Sequence, residues 1–400
     1  MKVHIALAVV ALFASGCSSN DASPVNDRTP PNTENPPNET IAGELPLLRG
    51  ENRIGIIEGF NPDNPEATTT AMAARWQEAL DAGMSVARLQ IDWPELEPSK
   101  SSFDKTALES RLEEMKDQGL QTFLLISAYD AGEAVVPGDL EGKDFDDPEF
   151  IQRFKNLMDW VIPLLVEYDG YLISVSNEAE DSFGEGSNLH NEILAFLLEI
   201  KNHIRHIDER MAVTVTVSEG SLDTGKPGIN EILAAGDVAA FNFYGGDFED
   251  DGSPYYSANS EVQIKSDIQR MLDASGDKNI VIQELGMWSG YTDDYPPDSY
   301  PTESYLNSSE ETQRKFFEVF FREMQNHDRI KAAYIFQMVD WSPDTTQIFS
   351  DLLEDEGLDP AFINQFAETL NTMGLVRYPD GTKKPAWDEF ADWVGVFDSM

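Results

Sequence analysis

Two periods of apolar residues alternate along the chain. Short runs that are apolar nearly throughout recur at 54–57, 86–91, 122–128, 171–176, 212–217, 238–243, 280–282 and 332–338. Such runs suit strands buried on both faces. Between them lie stretches with helical spacing. The stretch 69–82 places Met72, Trp76 and Leu80 on one face, and 104–118 starts at a capping Asp104 and stops at Gly119. The segments 150–168, 191–206, 262–272 and 310–324 continue the series. Eight runs alternating with helices predict an α/β fold, a (β/α)8 barrel. A doubly wound open sheet is the alternative, but no Gly-rich phosphate loop follows the first run. The long connections at 131–147, 180–189, 245–259, 286–309 and 340–360 all follow strands. In a barrel these segments build the face that carries active sites.

The first residues read differently. Lys2 precedes an apolar run at 5–14, then Ser15-Gly16-Cys17. The run is too short to span a bilayer and has the shape of an export signal. Small residues followed by Cys resemble the lipobox of bacterial lipoproteins, with Ala14 where that pattern usually carries Leu. The resemblance implies acylation of Cys17 and a location in the bacterial cell envelope. The segment 18–45 is rich in Ser, Asn, Asp, Glu and Pro, and its Pro30-Pro31 and Pro36-Pro37 pairs oppose helix and strand alike. The expected organisation is a leader at 1–16, a lipidated tether at 17–45 and one catalytic domain at 46–400.

Charge narrows the partners. Lys and Arg number 28 against 73 Asp and Glu, a net charge of −45. Such a surface repels phosphate backbones and polyanionic polymers, so nucleic acid is not an expected partner. Cys17 is the only cysteine, which excludes an intrachain disulfide and a Cys-based metal cluster. Of the five histidines, His203 and His206 read as a solvated helix face rather than a metal site, and His190 lies in the loop after the fourth run. The acidic stretches at 247–251 and 351–356 lack alternating calcium-loop spacing. No metal and no cofactor is expected.

Two carboxylates stand where apolar runs meet the active face: Glu178, closing Ser174-Val175-Ser176-Asn177-Glu178, and Glu284, in Val281-Ile282-Gln283-Glu284. The fourth and seventh strands lie opposite one another in an eight-stranded barrel. A facing pair, one protonated and one ionised, suits glycosidic bond cleavage, and retaining enzymes hold the two about 5–5.5 Å apart. Here the chain resembles the clan A retaining glycoside hydrolases. Asn177-Glu178, Glu284, Arg88 on the second strand, Tyr244 on the sixth and Trp341 after the eighth match that pattern in order. The likeness extends through 374–387. It implies Glu178 as general acid/base and Glu284 as nucleophile. It also implies Asn177 on the sugar 2-hydroxyl, Arg88 and Tyr244 as supports of Glu284, and Trp341 as an aromatic floor. Two places depart from the pattern: Asn242 stands where His is common before the strand-six Tyr, and Tyr129-Asp130 stands where His is common after strand three.

Other strand-end groups compete. Glu58, Asp92, Asp130, Glu219 and Asp340 are rival carboxylates, Glu219 being the strongest alternative to Glu178. Trp93, Tyr129 and Trp288 fall just past strand ends and are candidates for sugar stacking. The reading is a lipid-anchored, monomeric retaining β-glycoside hydrolase acting on a neutral β-glycan. Long aromatic loops favour endo-action. The alternatives are exo-action, a non-catalytic surface glycan-binding lipoprotein, and a metal-dependent barrel hydrolase.

Overall fold

The computed structural model describes residues 45–399 except 51, 59–66, 184–187, 225, 227, 248–255, 293–294, 296–303 and 356. The leader, Cys17 and the tether through residue 44 lie outside the described residues. Eight parallel strands follow the apolar runs: β1 Arg53–Ile57, β2 Val86–Gln90, β3 Gln121–Leu125, β4 Gly170–Asn177, β5 Ala212–Ser218, β6 Ala239–Tyr244, β7 Ile280–Gly286 and β8 Ile330–Ile335. Each pairs with its sequence neighbours, and β1 pairs with β8 to close the cylinder. The chain is a (β/α)8 barrel. Every position of β3, β4 and β7 is buried, which explains their largely apolar character. Inside the barrel the Tyr171 and Tyr334 hydroxyls are hydrogen-bonded, and the Phe123 and Tyr334 rings lie 5.7 Å apart.

The outer layer comprises α1 Ala67–Asp81, α2 Thr106–Asp117, α3 Pro148–Glu167, α4 Leu189–Ile207, α5 Ile229–Ala235, α6 Glu261–Ala274, α7 Glu310–Asn326, α8 Pro343–Asp355, α9 Pro360–Thr372 and α10 Pro385–Asp398. Local chemistry sets their starts. The Asp147 carboxylate accepts the Glu149 and Phe150 amides at α3, and Ser260 with Gln263 forms a capping box at α6. Asp104 does not cap α2: the helix begins at Thr106 with Lys105 at the N-cap, and Asp104, one residue further out, accepts the Thr106 amide at 3.0 Å. In α7 the buried Phe316, Phe317, Phe320, Phe321 and Met324 pack one face onto the barrel.

The structure corrects the expectation of an open connection at 340–360. That segment forms α8, and α9 follows it after a short turn. Ser342 Oγ accepts the Thr345 amide at 3.2 Å, and Asp359 accepts the Ala361 amide at 2.8 Å. Short strands also tie two other connections together. Gly246–Asp247 pairs antiparallel with Tyr256–Ala258, which pairs parallel with Leu306–Asn307.

Candidate active site

The two predicted carboxylates sit at the ends of β4 and β7. Both strands break register just below them. The shift in β4 falls between Ser174 and Asn177 against β5, and that in β7 between Ile282 and Glu284 against β6. Such irregularities re-aim side chains at barrel rims. Glu178 also has a left-handed backbone (φ 48°, ψ 36°), which costs a non-glycine residue roughly 1–3 kcal/mol. Its amide donates to Thr216 O at 2.8 Å, so the bend is held by β5.

The partners of the two carboxylates differ. Glu284 receives the Tyr244 hydroxyl on Oε2 at 2.6 Å and faces Arg88 Nη2 from Oε1 at 3.3 Å. The Arg88 side chain is 0% exposed and that of Glu284 6%, so the pair is dry. Arg88 therefore faces Glu284 at the end of the seventh strand. Glu178 Oε1 accepts a neutral amide hydrogen bond from Asn242 Nδ2 at 2.9 Å. Burial, and then the charges of Glu284 and Glu178, push the Tyr244 hydroxyl well above its ordinary value, so it stays protonated and donates. One phenol thus senses both carboxylates.

Asn177 lies among these groups. Its Nδ2 donates to Asp130 Oδ1 at 2.9 Å, and its Oδ1 accepts from Gln283 Nε2 at 2.7 Å and Asn242 Nδ2 at 3.1 Å. Gln283 Oε1 in turn accepts from Thr216 Oγ1 at 2.7 Å. Asn242, noted in the sequence only as a departure, bonds both Asn177 and Glu178. It stands two residues before Tyr244, so both point to one face of β6. Gln283, Thr216 and Gln90 were not anticipated at all; the inward period-2 positions of their strands were the available signal.

The aromatic candidates divide. Trp93 does not join the site. Its ring packs edge-on against Phe150 at 5.3 Å and Phe154 at 4.9 Å, and its Nε1 donates to Glu97 at 2.8 Å. Tyr129 packs edge-on against Phe145 at 5.4 Å, while its carbonyl accepts from Ser176 Oγ. Trp288 and Trp341 follow β7 and β8 and are each 1% exposed. Trp341 stacks on Phe349 of α8 at 5.2 Å. Among the rival carboxylates, Glu219 accepts Arg270 at 2.6 Å and Glu58 pairs with Arg111. Asp340 is bound to Lys384 at 2.7 Å. Among the described residues no group of three or more His, Cys, Asp and Glu is arranged to hold a metal ion.

Solved structures share this architecture. A GH5_18 glycoside hydrolase from Bifidobacterium longum, solved with Manβ1-4GlcNAc, superposes with a TM-score of 0.61 at 14% identity, covering 87% of this chain and 79% of its own. An exo-β-1,4-mannosidase from Opitutaceae bacterium strain TAV5 gives 0.58 at 15% identity, over 87% and 60%. Xylanase 10B from Thermotoga maritima gives 0.57 at 11%, over 88% and 97%. The chain has the fold of these glycoside hydrolases. No family model and no curated sequence matches it. At these identities the likeness carries the fold, and the case for chemistry rests on the side chains above.

Proposed function

We propose that this barrel is a retaining β-glycoside hydrolase, with Glu284 as nucleophile and Glu178 as general acid/base. The observation that carries the reading is the joining of the two strand-end carboxylates to one buried polar network. Glu284 receives a guanidinium and a phenol, and Glu178 accepts a neutral amide hydrogen bond from Asn242. In the first step a Glu284 oxygen bonds to the anomeric carbon as the C–O bond to the leaving group breaks, and the Glu178 proton passes to the departing oxygen. In the second step Glu178 takes a proton from water, whose oxygen displaces Glu284. Two inversions give net retention. Asn177 has a second Nδ2 hydrogen for the sugar 2-hydroxyl.

The likeness to sugar-cleaving barrels supports a glycan as substrate, and the net charge of −45 favours a neutral one. The loops alone suggested an extended cleft and endo-action. The burial of Glu178 (1%), Asn177 (5%) and Glu284 (5%), together with the α8–α9 pair following β8, favours a pocket that accepts a chain end. The lone Cys17 after a short apolar leader supports a lipid-anchored enzyme of the bacterial envelope, carried as a monomer on its tether. In the test, Glu284→Gln and Glu178→Gln are assayed on an activated aryl β-glycoside, and products are followed across neutral β-glycans. Loss of turnover in both variants, with single sugars or disaccharides released from chain ends, is expected. Undiminished hydrolysis in either variant refutes the site, and early internal cleavage refutes chain-end action. For the anchor, mass spectrometry of the mature N-terminus should find an acylated Cys17; an unmodified Cys17 refutes it.

A further inference from the structure

A third carboxylate lies beside the nucleophile. Asp130 follows β3 in a tight hairpin, Tyr129–Asp130 against Glu133–Ala134, turned by the left-handed backbone of Ala131 (φ 39°) and Gly132 (φ 98°). Its backbone bridges to Asn177 of β4, and the Ala131 amide donates to Asn177 O at 3.0 Å. Asp130 is 7% exposed. Its two oxygens face two primary amides. Oδ1 accepts from Asn177 Nδ2 at 2.9 Å, and Oδ2 accepts from Gln90 Nε2 at 3.2 Å.

These contacts complete a chain of hydrogen bonds and one ion pair between the catalytic carboxylates. From Glu284 it runs to Arg88, then to Gln90 Oε1 (3.0 Å), and from Gln90 Nε2 to Asp130. From Asp130 it passes to Asn177, then Asn242, then Glu178. The direction of every link is fixed by chemistry. Arg88 only donates, so Gln90 presents its oxygen to Arg88 and its NH2 to Asp130. Asn177 offers its oxygen to Gln283 and Asn242, so its NH2 also turns to Asp130. Asp130 must accept at both oxygens, and only the carboxylate anion does so without placing a hydroxyl against an NH2.

We propose, building on the hydrolase reading, that Asp130 is a positioning residue whose anionic form sets the orientation of Asn177 and thereby the acid limb of the pH–rate profile. The charged groups around it are Arg88 from β2 and Glu284 from β7, with Glu178 reached through Asn177 and Asn242. Glu133 is its backbone partner across the hairpin. Burial, first, and the Glu284 charge push the Asp130 carboxyl up to about 6, while Asn177, Arg88 and Gln90 oppose the rise. Below that pH Asp130 gains a proton and no longer accepts fully at both oxygens, so its hold on the Asn177 amide weakens.

Two substitutions test the proposal in opposite directions. Asp130→Asn removes the titrating group and the negative charge beside Glu284. It should lower kcat about ten- to a hundred-fold and move the acid limb to lower pH. Gln90→Leu removes a donor that favours the anion and should move the acid limb to higher pH. A role in folding alone would lower kcat in both variants without moving the limb. An unmoved limb, or a shift of both variants in one direction, overturns the proposal. A second readout does not need turnover. A carboxyl raised on folding takes up a proton in the folded state, so wild-type stability should rise relative to Asp130→Asn as pH falls through about 6. Urea midpoints of the two proteins give that difference even on a chain that hydrolyses no glycoside, which separates failure of this proposal from failure of the hydrolase reading. A stability difference independent of pH refutes the titration of Asp130.

Discussion

Replacing Lys384 by Met should expose a fully buried electrostatic dependence of the fold. The Lys384 and Asp340 side chains are both 0% exposed. Lys384 Nζ donates to Asp340 Oδ1 at 2.7 Å, to Thr372 O at 2.9 Å and to Ser289 Oγ at 3.2 Å. Asp340 also accepts the Tyr295 hydroxyl at 2.9 Å and the Gly374 amide at 2.8 Å. Gly374 must remain glycine for that approach, since a Cβ there would lie 2.2 Å from the Asp340 nitrogen. One ammonium thus joins the segments after β7, β8 and α9, directly beside Trp341. The Met side chain fills most of the volume but leaves a buried carboxylate without its cation, a change that costs about 3–5 kcal/mol. Burial already pushes Asp340 up to about 6 against the pull of Lys384. Without the lysine its carboxyl rises further and takes a proton on acidification, which removes the uncompensated charge. Urea unfolding should therefore show the full loss near pH 8 and a smaller one near pH 5. Adding Asp340→Asn to Lys384→Met should recover most of the stability, because it removes the stranded charge. A loss below about 1 kcal/mol near pH 8, in the range of a solvent-exposed ion pair, would refute the argument. So would a loss that does not change with pH.

Other consequences can be measured separately. Tyr244→Phe deletes the 2.6 Å hydrogen bond to Glu284 while leaving the ring's edge-on contact with Phe336. A hydrogen bond to a charged group is worth about 1.5–3 kcal/mol, so steady-state kinetics should show kcat/KM reduced about ten- to 150-fold. Arg153→Met strands Glu97, which is 1% exposed and accepts from Arg153 Nε at 3.0 Å, from the Ser101 amide and from Trp93 Nε1. Its melting temperature should fall at neutral pH, with turnover at permissive temperature nearly unchanged. Glu368→Ala leaves the Tyr291 amide, the Ser304 hydroxyl and the Tyr305 amide without their acceptor. Limited proteolysis should then cut the connection between β7 and α7 faster than in the parent.

The parts legible in the sequence and the parts that were not differ by a physical criterion. A barrel strand is buried on both faces, so β3 and β4 read as short, largely apolar runs, and a carboxylate at the end of such a run stands out. Glu178 and Glu284 were visible for that reason. The segment after β8 was misread because Pro343, the acidic stretch at 351–356, Gly357 and Pro360 punctuate it like a loop, although these prolines stand at the first turns of α8 and α9. Trp93 failed as a stacking candidate because a position just past a strand end does not say which way the ring turns; the single helical turn Trp93–Leu96 carries it into the Phe150–Phe154 cluster.

Not all of the acidity lies on the surface. The fold also buries Glu97, Asp130, Asp237, Asp340 and Glu368, each tied to specific donors. Four of these hold structure: Glu97 joins the turn after β2 to α3, Asp237 joins α4 to the approach of β6, and Asp340 and Glu368 fasten the segments after β7 and β8. Of the five, Asp130 joins the network around Glu178 and Glu284. A carboxylate is costly to bury, and in a chain of net charge −45 the surrounding field adds to that cost. Each buried acid therefore needs donors close by, and those donors mark where acidity was built into the structure rather than left on its surface. At Asp130 the donors are two amides that also bond Arg88 and Asn242, the partners of Glu284 and Glu178, so on the proposed mechanism removing its charge should change chemistry before it changes folding.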